Sequence, residues 1–188
     1  IGGLEASLRR FAHYDYWSDQ VMPSVLSSSG ADALMYGMSE RSVVELAKNL
    51  KAGKHGIDAV RDIRGMAYFA PDASDVPFPA VECPSYGQVC ESKEDYARSV
   101  KIQYDQADHV RGKAITQVHG KRVLIQNPPS KPLTTEEMDK VYALPFARTY
   151  HPSYDAVGGV PAIQEVQFSI IQNRGCFGAC NFCALAFH

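Results

Sequence analysis

Three cysteines crowd into one short stretch near the C-terminal end, Arg174-Gly-Cys176-Phe-Gly-Ala-Cys180-Asn-Phe-Cys183. Their spacing is C-x3-C-x2-C. Three thiolates from one loop can wrap a corner of a cubane iron–sulfur cluster and leave the fourth iron open. Gly175, Gly178 and Ala179 are small, so backbone amides can approach the cluster and donate to its sulfurs. The same stretch supports a rival chemistry. His188 follows five residues after Cys183, so Cys176, Cys180, Cys183 and His188 could close a tetrahedral Cys3His zinc site in a non-catalytic binding module.

Cys83 and Cys90 stand apart from this group. They could donate a fourth ligand or serve as ordinary core thiols. Five cysteines, odd in number and concentrated at one end, make a poor disulfide framework and point to a reducing, cytoplasmic setting. Arg9 and Arg10 beside His13, Tyr14, Tyr16 and Trp17 could line a pocket for an anionic or planar ligand. His151 and Tyr154, flanking Pro152, could reach an active site or form a structural corner. Arg174 could meet a carboxylate near the cysteines or cap a loop. No Ser-His-Asp order, P-loop or paired carboxylates stand out, so no catalytic residue is assigned.

The chain has 188 residues, with 45% hydrophobic and 21% charged residues, which fits a globular protein and excludes wholesale disorder. Its formal net charge of −2 shows no basic excess, which argues against a nucleic-acid or anionic-membrane partner. No apolar run approaches the roughly 20 residues of a membrane span, and no secretory signal opens the chain. The first residues, Ile1-Gly-Gly, read like the exit of a strand, and the chain stops five residues after its last cysteine. Both ends read as those of a piece of a longer polypeptide.

The elements that must position the cysteines are legible as patterns. Ala33 to Tyr36 is a short apolar strand. Ser39 offers an N-cap for a helix carrying Val43, Leu46, Ala47 and Leu50, with Gly53 just past its end. Met66 to Ala70 is a second strand, and four prolines within 71–87 mark an irregular connector. Ser92 to about Asp108 reads as a helix with Tyr96, Val100 and Tyr104 repeating every four residues. Ala114 to His119 and Arg122 to Gln126 form a hairpin about Gly120-Lys121. Thr134 and Glu137 make a capping box for a helix to Tyr142. Val166, Phe168, Ile170 and Ile171 predict an apolar strand running into the cysteine loop. The expected class is α/β, a strand–turn–helix parallel sheet with an α+β middle.

Longer islands carry a resemblance. Gly2 to Trp17, Gln126 to Pro129, Tyr142 to Phe146, Tyr150 to Tyr154, and Phe168-Ser169 with Asn173 to His188 are similar to YgiQ-type radical S-adenosylmethionine (SAM) proteins. The resemblance implies that Cys176, Cys180 and Cys183 ligate a 4Fe-4S cluster whose open iron binds SAM. One electron, from a donor such as a flavodoxin or ferredoxin, would then yield a 5′-deoxyadenosyl radical that attacks an unknown substrate. Phe182 matches a position lying against the adenine, and Arg174 is a candidate for SAM's carboxylate. The resemblance further implies a flavodoxin-like, cobalamin-binding-like parallel-sheet remnant over 1–70, an irregular α+β connector over 71–160, and the first strand and cluster loop of a radical SAM (β/α) barrel over 161–188. Asp32 to Glu40 looks like the strand and helix start of that domain type. Cobalamin's own D-x-H-x-x-G signature is missing, because Ala107 stands where the aspartate belongs ahead of His109 and Gly112. A methylthiotransferase-like relative is the third reading.

Overall fold

The computed structural model describes residues 1–74, 76–171, 174–178, 180 and 183. The chain divides into two compact units, one formed by Ile1–Pro132 and the other beginning at Leu133.

The first unit opens with helix α1 (Leu4–Leu8), a hairpin of β1 (His13–Asp15) and β2 (Gln20–Met22), and helix α2 (Val25–Ser29). A five-stranded sheet follows. Its first two strands are β3 (Ala33–Met35) and β4 (Met66–Ala70), joined through helices α3 (Glu40–Lys51) and α4 (Ile57–Val60). Then come β5 (Ala80–Cys83), helices α5 (Tyr86–Glu91) and α6 (Lys93–Asp105), and the hairpin of β6 (Ala114–His119) and β7 (Arg122–Gln126). The strand order is β3-β4-β7-β6-β5.

Alternation along the central strands explains the layering. Ala67, Leu124 and Ile115 face one way, into a cluster with Phe11 and Leu26 from the N-terminal segment and with the partly buried Ile102 of α6. Met66, Tyr68, Ala70 and Ile125 face the other way, onto Ala59, Val60 and Ile63 around α4. Helices therefore cover both faces, and β4 reads as a continuous apolar run for that reason. Each fully buried Leu or Ile contributes about 1.5–3 kcal/mol over leaving it in water.

One sequence expectation needs correction here. The sheet is mixed α/β but not parallel: β3–β4, β4–β7 and β7–β6 are antiparallel, and only β5–β6 is parallel. A single crossover helix would return the chain to the start of a parallel neighbour. Here α3 turns at Ala52–Gly56 into α4, a second pass that delivers β4 to the end where β3 finished, so Met66 lies opposite Met35. Helix α6 forms where the Tyr96, Val100, Tyr104 repeat placed a helix, with Val100 and Tyr104 exposed. Ser99 is the residue buried against the sheet, where its Oγ accepts from the Cys83 thiol at 3.0 Å.

Other expectations match. The Gly120-Lys121 turn joins β6 to β7, with Gly120 at φ +62. Gly53, just past α3, is also left-handed at φ +82. Asn127, at the exit of β7, ties the sheet to α4: its Nδ2 donates to the carbonyls of Arg61 at 2.9 Å and Ile63 at 2.7 Å.

The second unit contains α7 (Thr135–Tyr142), a 3-10 helix (Pro152–Val157) and α8 (Ile163–Val166). Thr134 and Glu137 form the expected capping box. The apolar strand predicted over Val166 to Ile171 is not found. Val166 ends α8, and Phe168 and Ile170 are 90% and 85% exposed. A strand with apolar residues on both faces forms only where neighbouring strands and helices cover it, and no described strand pairs with this segment.

Candidate metal centre

The cysteine loop is built by its glycines. Gly175 adopts φ +76, a left-handed conformation that turns the chain into Cys176. The amide of Gly178 then donates to Cys176 Sγ at 3.3 Å, and the Cys180 thiol lies 3.8 Å from the Gly178 carbonyl. The amide of Cys183 donates to the Cys180 carbonyl at 2.9 Å. A Cβ on Gly178 would sit 3.3 Å from Cys176 Sγ and 3.6 Å from Cys180 Sγ. Two sulfurs thus converge on the one residue that has no side chain to separate them.

Cys176 and Cys180 are exposed and Cys183 is partly buried, all three as free thiols. Among the described residues no three Cys, His, Asp or Glu side chains are gathered into a ligand set. The donor chemistry still fits an iron–sulfur cluster: soft sulfur ligands, an amide already aimed at one sulfur, and a glycine leaving room between two of them. Phe182 and His188 lie outside the described residues, so the adenine contact and the fourth zinc ligand have no geometry here.

Arg174 is placed against an aromatic ring. Its guanidinium carbon lies 5.5 Å from the ring centre of Tyr142, a cation–π contact. Both residues line a cavity of about 460 Å³, together with Phe146, Arg148, Ile170 and Ile171. The sequence reading did not single out Tyr142, Phe146 or Arg148 as site residues. The signal available was the Tyr142 to Phe146 island, in which two aromatics and a proline follow directly on a helix.

The remaining candidates are engaged elsewhere. Cys83 is buried against Ser99, and burial pushes its thiol pKa up. Cys90 is exposed beside the β1–β2 hairpin, 4.0 Å from the Val21 carbonyl. Arg9 pairs with Glu5 at 2.8 Å across one helical turn. Arg10 is buried, bonded to Gln126 Oε1 and the Ser7 carbonyl and stacked 4.8 Å from the Tyr36 ring centre. Desolvation lowers its pKa. Tyr14 bonds Asp19 at 2.6 Å, while Tyr16 and Trp17 pack edge to face and stand exposed at the hairpin tip. The basic and aromatic residues of this segment are therefore split between core and surface. His151 caps the 3-10 helix, its Nδ1 accepting from the Ser153 amide at 3.2 Å, which is the corner role.

The described helices include none long and apolar enough to cross a membrane. No solved structure matches the chain. A UPF0313 protein of Clostridium botulinum (strain ATCC 19397 / Type A) is 53% identical over all 188 residues, which make up 29% of that relative. A UPF0313 protein of Clostridium perfringens (strain ATCC 13124) is 50% identical over the same span, 28% of its length. The chain thus spans less than a third of these relatives. A family model described as Radical SAM N-terminal matches residues 1–169, ending ahead of the cysteine loop. The chain belongs to the Radical SAM N-terminal family.

Proposed function

We propose that the whole protein is a radical SAM enzyme in which Cys176, Cys180 and Cys183 hold a 4Fe-4S cluster. The observation that carries this reading is the convergence of Cys176 and Cys180 sulfurs on Gly178, within a C-x3-C-x2-C loop that follows a Radical SAM N-terminal match. When bound, cluster and SAM supply reductive cleavage of the sulfonium and abstraction of hydrogen from a substrate.

The chain's own residues do the holding and orienting. The three thiolates take three irons, and the Gly178 amide is positioned to donate to the Cys176 sulfur. Arg174, braced on Tyr142, offers a guanidinium for the carboxylate of SAM, and Phe182 offers a ring for its adenine. Residues 161–188 open the catalytic barrel in this reading. The electron donor is a flavodoxin or ferredoxin, the setting is cytoplasmic, and turnover belongs to the whole protein.

The test is anaerobic preparation of the full-length protein, followed by iron and acid-labile sulfide assays, absorbance at about 400 nm and measurement of 5′-deoxyadenosine from SAM. Stoichiometric iron and sulfide with SAM cleavage are expected. A colourless protein holding one zinc would overturn the proposal in favour of a structural Cys3His site.

A further inference from the structure

The cavity beside Arg174 carries a second arginine. Besides Tyr142 and Arg174, its walls include Phe146, Arg148, Ile170 and Ile171, and none of its lining residues is acidic. Small-molecule sites of about 300–1,000 Å³ combine apolar and aromatic walls with a few polar anchors, and this cavity of about 460 Å³ has that make-up. The two arginines differ in their engagement. Arg174 rests its guanidinium on the Tyr142 ring, 5.5 Å from the ring centre. The Arg148 side chain has no ion pair or hydrogen bond among the described residues. Its backbone is left-handed at φ +57, one of two non-glycine residues so held among the described residues. That conformation is unfavourable for a residue with a Cβ, and such residues cluster at ligand clamps.

We infer that this cavity binds a small molecule joining an oxyanion, carboxylate or phosphate, to a flat apolar body, with Arg148 as the anchor for the oxyanion. The chemistry of the walls selects that class. Basic residues without an acid among them repel a cationic ligand and attract an anionic one. A guanidinium is the side chain best matched to an oxyanion, because its N–H fork meets two oxygens at once and sheds water more readily than an ammonium. Tyr142, Phe146 and the two isoleucines offer flat and apolar surface to the rest of the molecule. Arg174 stands two residues ahead of Cys176, so the cavity shares its segment with the cysteine loop. Taking the bound molecule as the substrate rests on the radical SAM reading above, in which Arg174 serves the carboxylate of SAM and Arg148 remains for a second anion. The binding itself does not depend on that reading.

The experiment is titration calorimetry on the anaerobically prepared full-length protein with phenyl phosphate and benzoate, and with benzyl alcohol and benzylamine as neutral and cationic controls. One or both anions are expected to bind with Kd of about 0.1–1 mM, the range for ligands of this size, and the tighter of the two names the oxyanion. Arg148→Asn removes the guanidinium while asparagine tolerates the left-handed backbone. It is expected to weaken anion binding at least about tenfold with an unchanged melting temperature. Benzylamine binding as tightly as the anions, no anion binding up to about 10 mM, or unchanged affinity in Arg148→Asn would each overturn the inference. Anion binding is expected to persist in excess SAM; its loss would overturn the inference by giving the cavity to SAM itself. Iron content, measured on the same preparation, separates the two readings. Anion binding through Arg148 in a protein without iron would uphold the site and remove only its role as the substrate site, whereas full iron and sulfide without anion binding would overturn this inference alone.

Discussion

The ring of Tyr86 lies flat on the imidazole of His119, with 5.4 Å between ring centres and 3° between planes. The edge of Phe69 closes a second side. Nε2 bonds Gln117 at 2.9 Å, whereas Nδ1 is buried with no hydrogen-bond partner. Burial first, and the nearby Arg122 charge second, hold the His119 pKa down at about 4 against its ordinary 6.5.

A pH dependence with a definite sign follows from that stack. The unfolded chain takes up the His119 proton before the folded one does, so folding stability is full above about pH 6.5 and falls as pH drops toward 4. Between pH 7 and pH 5 the loss from this one group is about 2 kcal/mol, at 1.36 kcal/mol per pK unit. Urea denaturation at the two pH values, on wild type and His119→Leu, is expected to show that part of the acid loss only in wild type.

Asn127→Ala is expected to cost about 2–3 kcal/mol, because the buried Ile63 carbonyl and the partly buried Arg61 carbonyl lose a donor. Thermal or urea unfolding measures it directly. A cost under about 0.5 kcal/mol would show that water replaces the amide there.

Thiol reactivity separates Cys83 from the exposed cysteines. Its thiol is buried, bonded to Ser99, and pushed up in pKa by desolvation. Since the thiolate is the nucleophile, native-state alkylation read by mass spectrometry is expected to modify Cys90, Cys176 and Cys180 at least about tenfold faster than Cys83.

Gly178→Ala tests the loop's packing without touching a ligand. The added Cβ would stand 3.3 Å from Cys176 Sγ, tighter than ordinary contact, and 3.6 Å from Cys180 Sγ. Anaerobically loaded protein is expected to carry several-fold less iron than wild type with an unchanged far-ultraviolet circular dichroism spectrum. Full iron loading would mean that the sulfurs do not need the space beside Gly178.

What the sequence disclosed and what it hid divide along physical lines. The β6–β7 hairpin and the α7 capping box were legible because each is specified by residues within a few positions of one another, Gly120-Lys121 and Thr134 with Glu137. Strand direction in the sheet was not legible. It depends on how many helical passes separate β3 from β4, and the brief second pass at Ile57–Val60 is too short to leave a periodic signature. The outward turn of Val100 and Tyr104 was hidden for a similar reason. Periodicity reports that a helix exists, while the choice of Ser99 as its inner line depends on Cys83, distant in sequence. At the candidate metal centre the cysteine spacing was visible directly. The pairing of Arg174 with Tyr142 was not, because the two residues belong to separate segments that meet only through folding.

The Asn127 tether has a consequence for motion as well as for stability. Helix α4 has no side-chain bond at its own N-cap, Gly56, and spans a single turn. Its far end is instead pinned to the last residue beyond a central strand, so the stretch that includes α4 is not expected to breathe independently. Opening it requires releasing the exit of β7, which places a surface helical turn and the middle of the sheet in one cooperative unfolding unit.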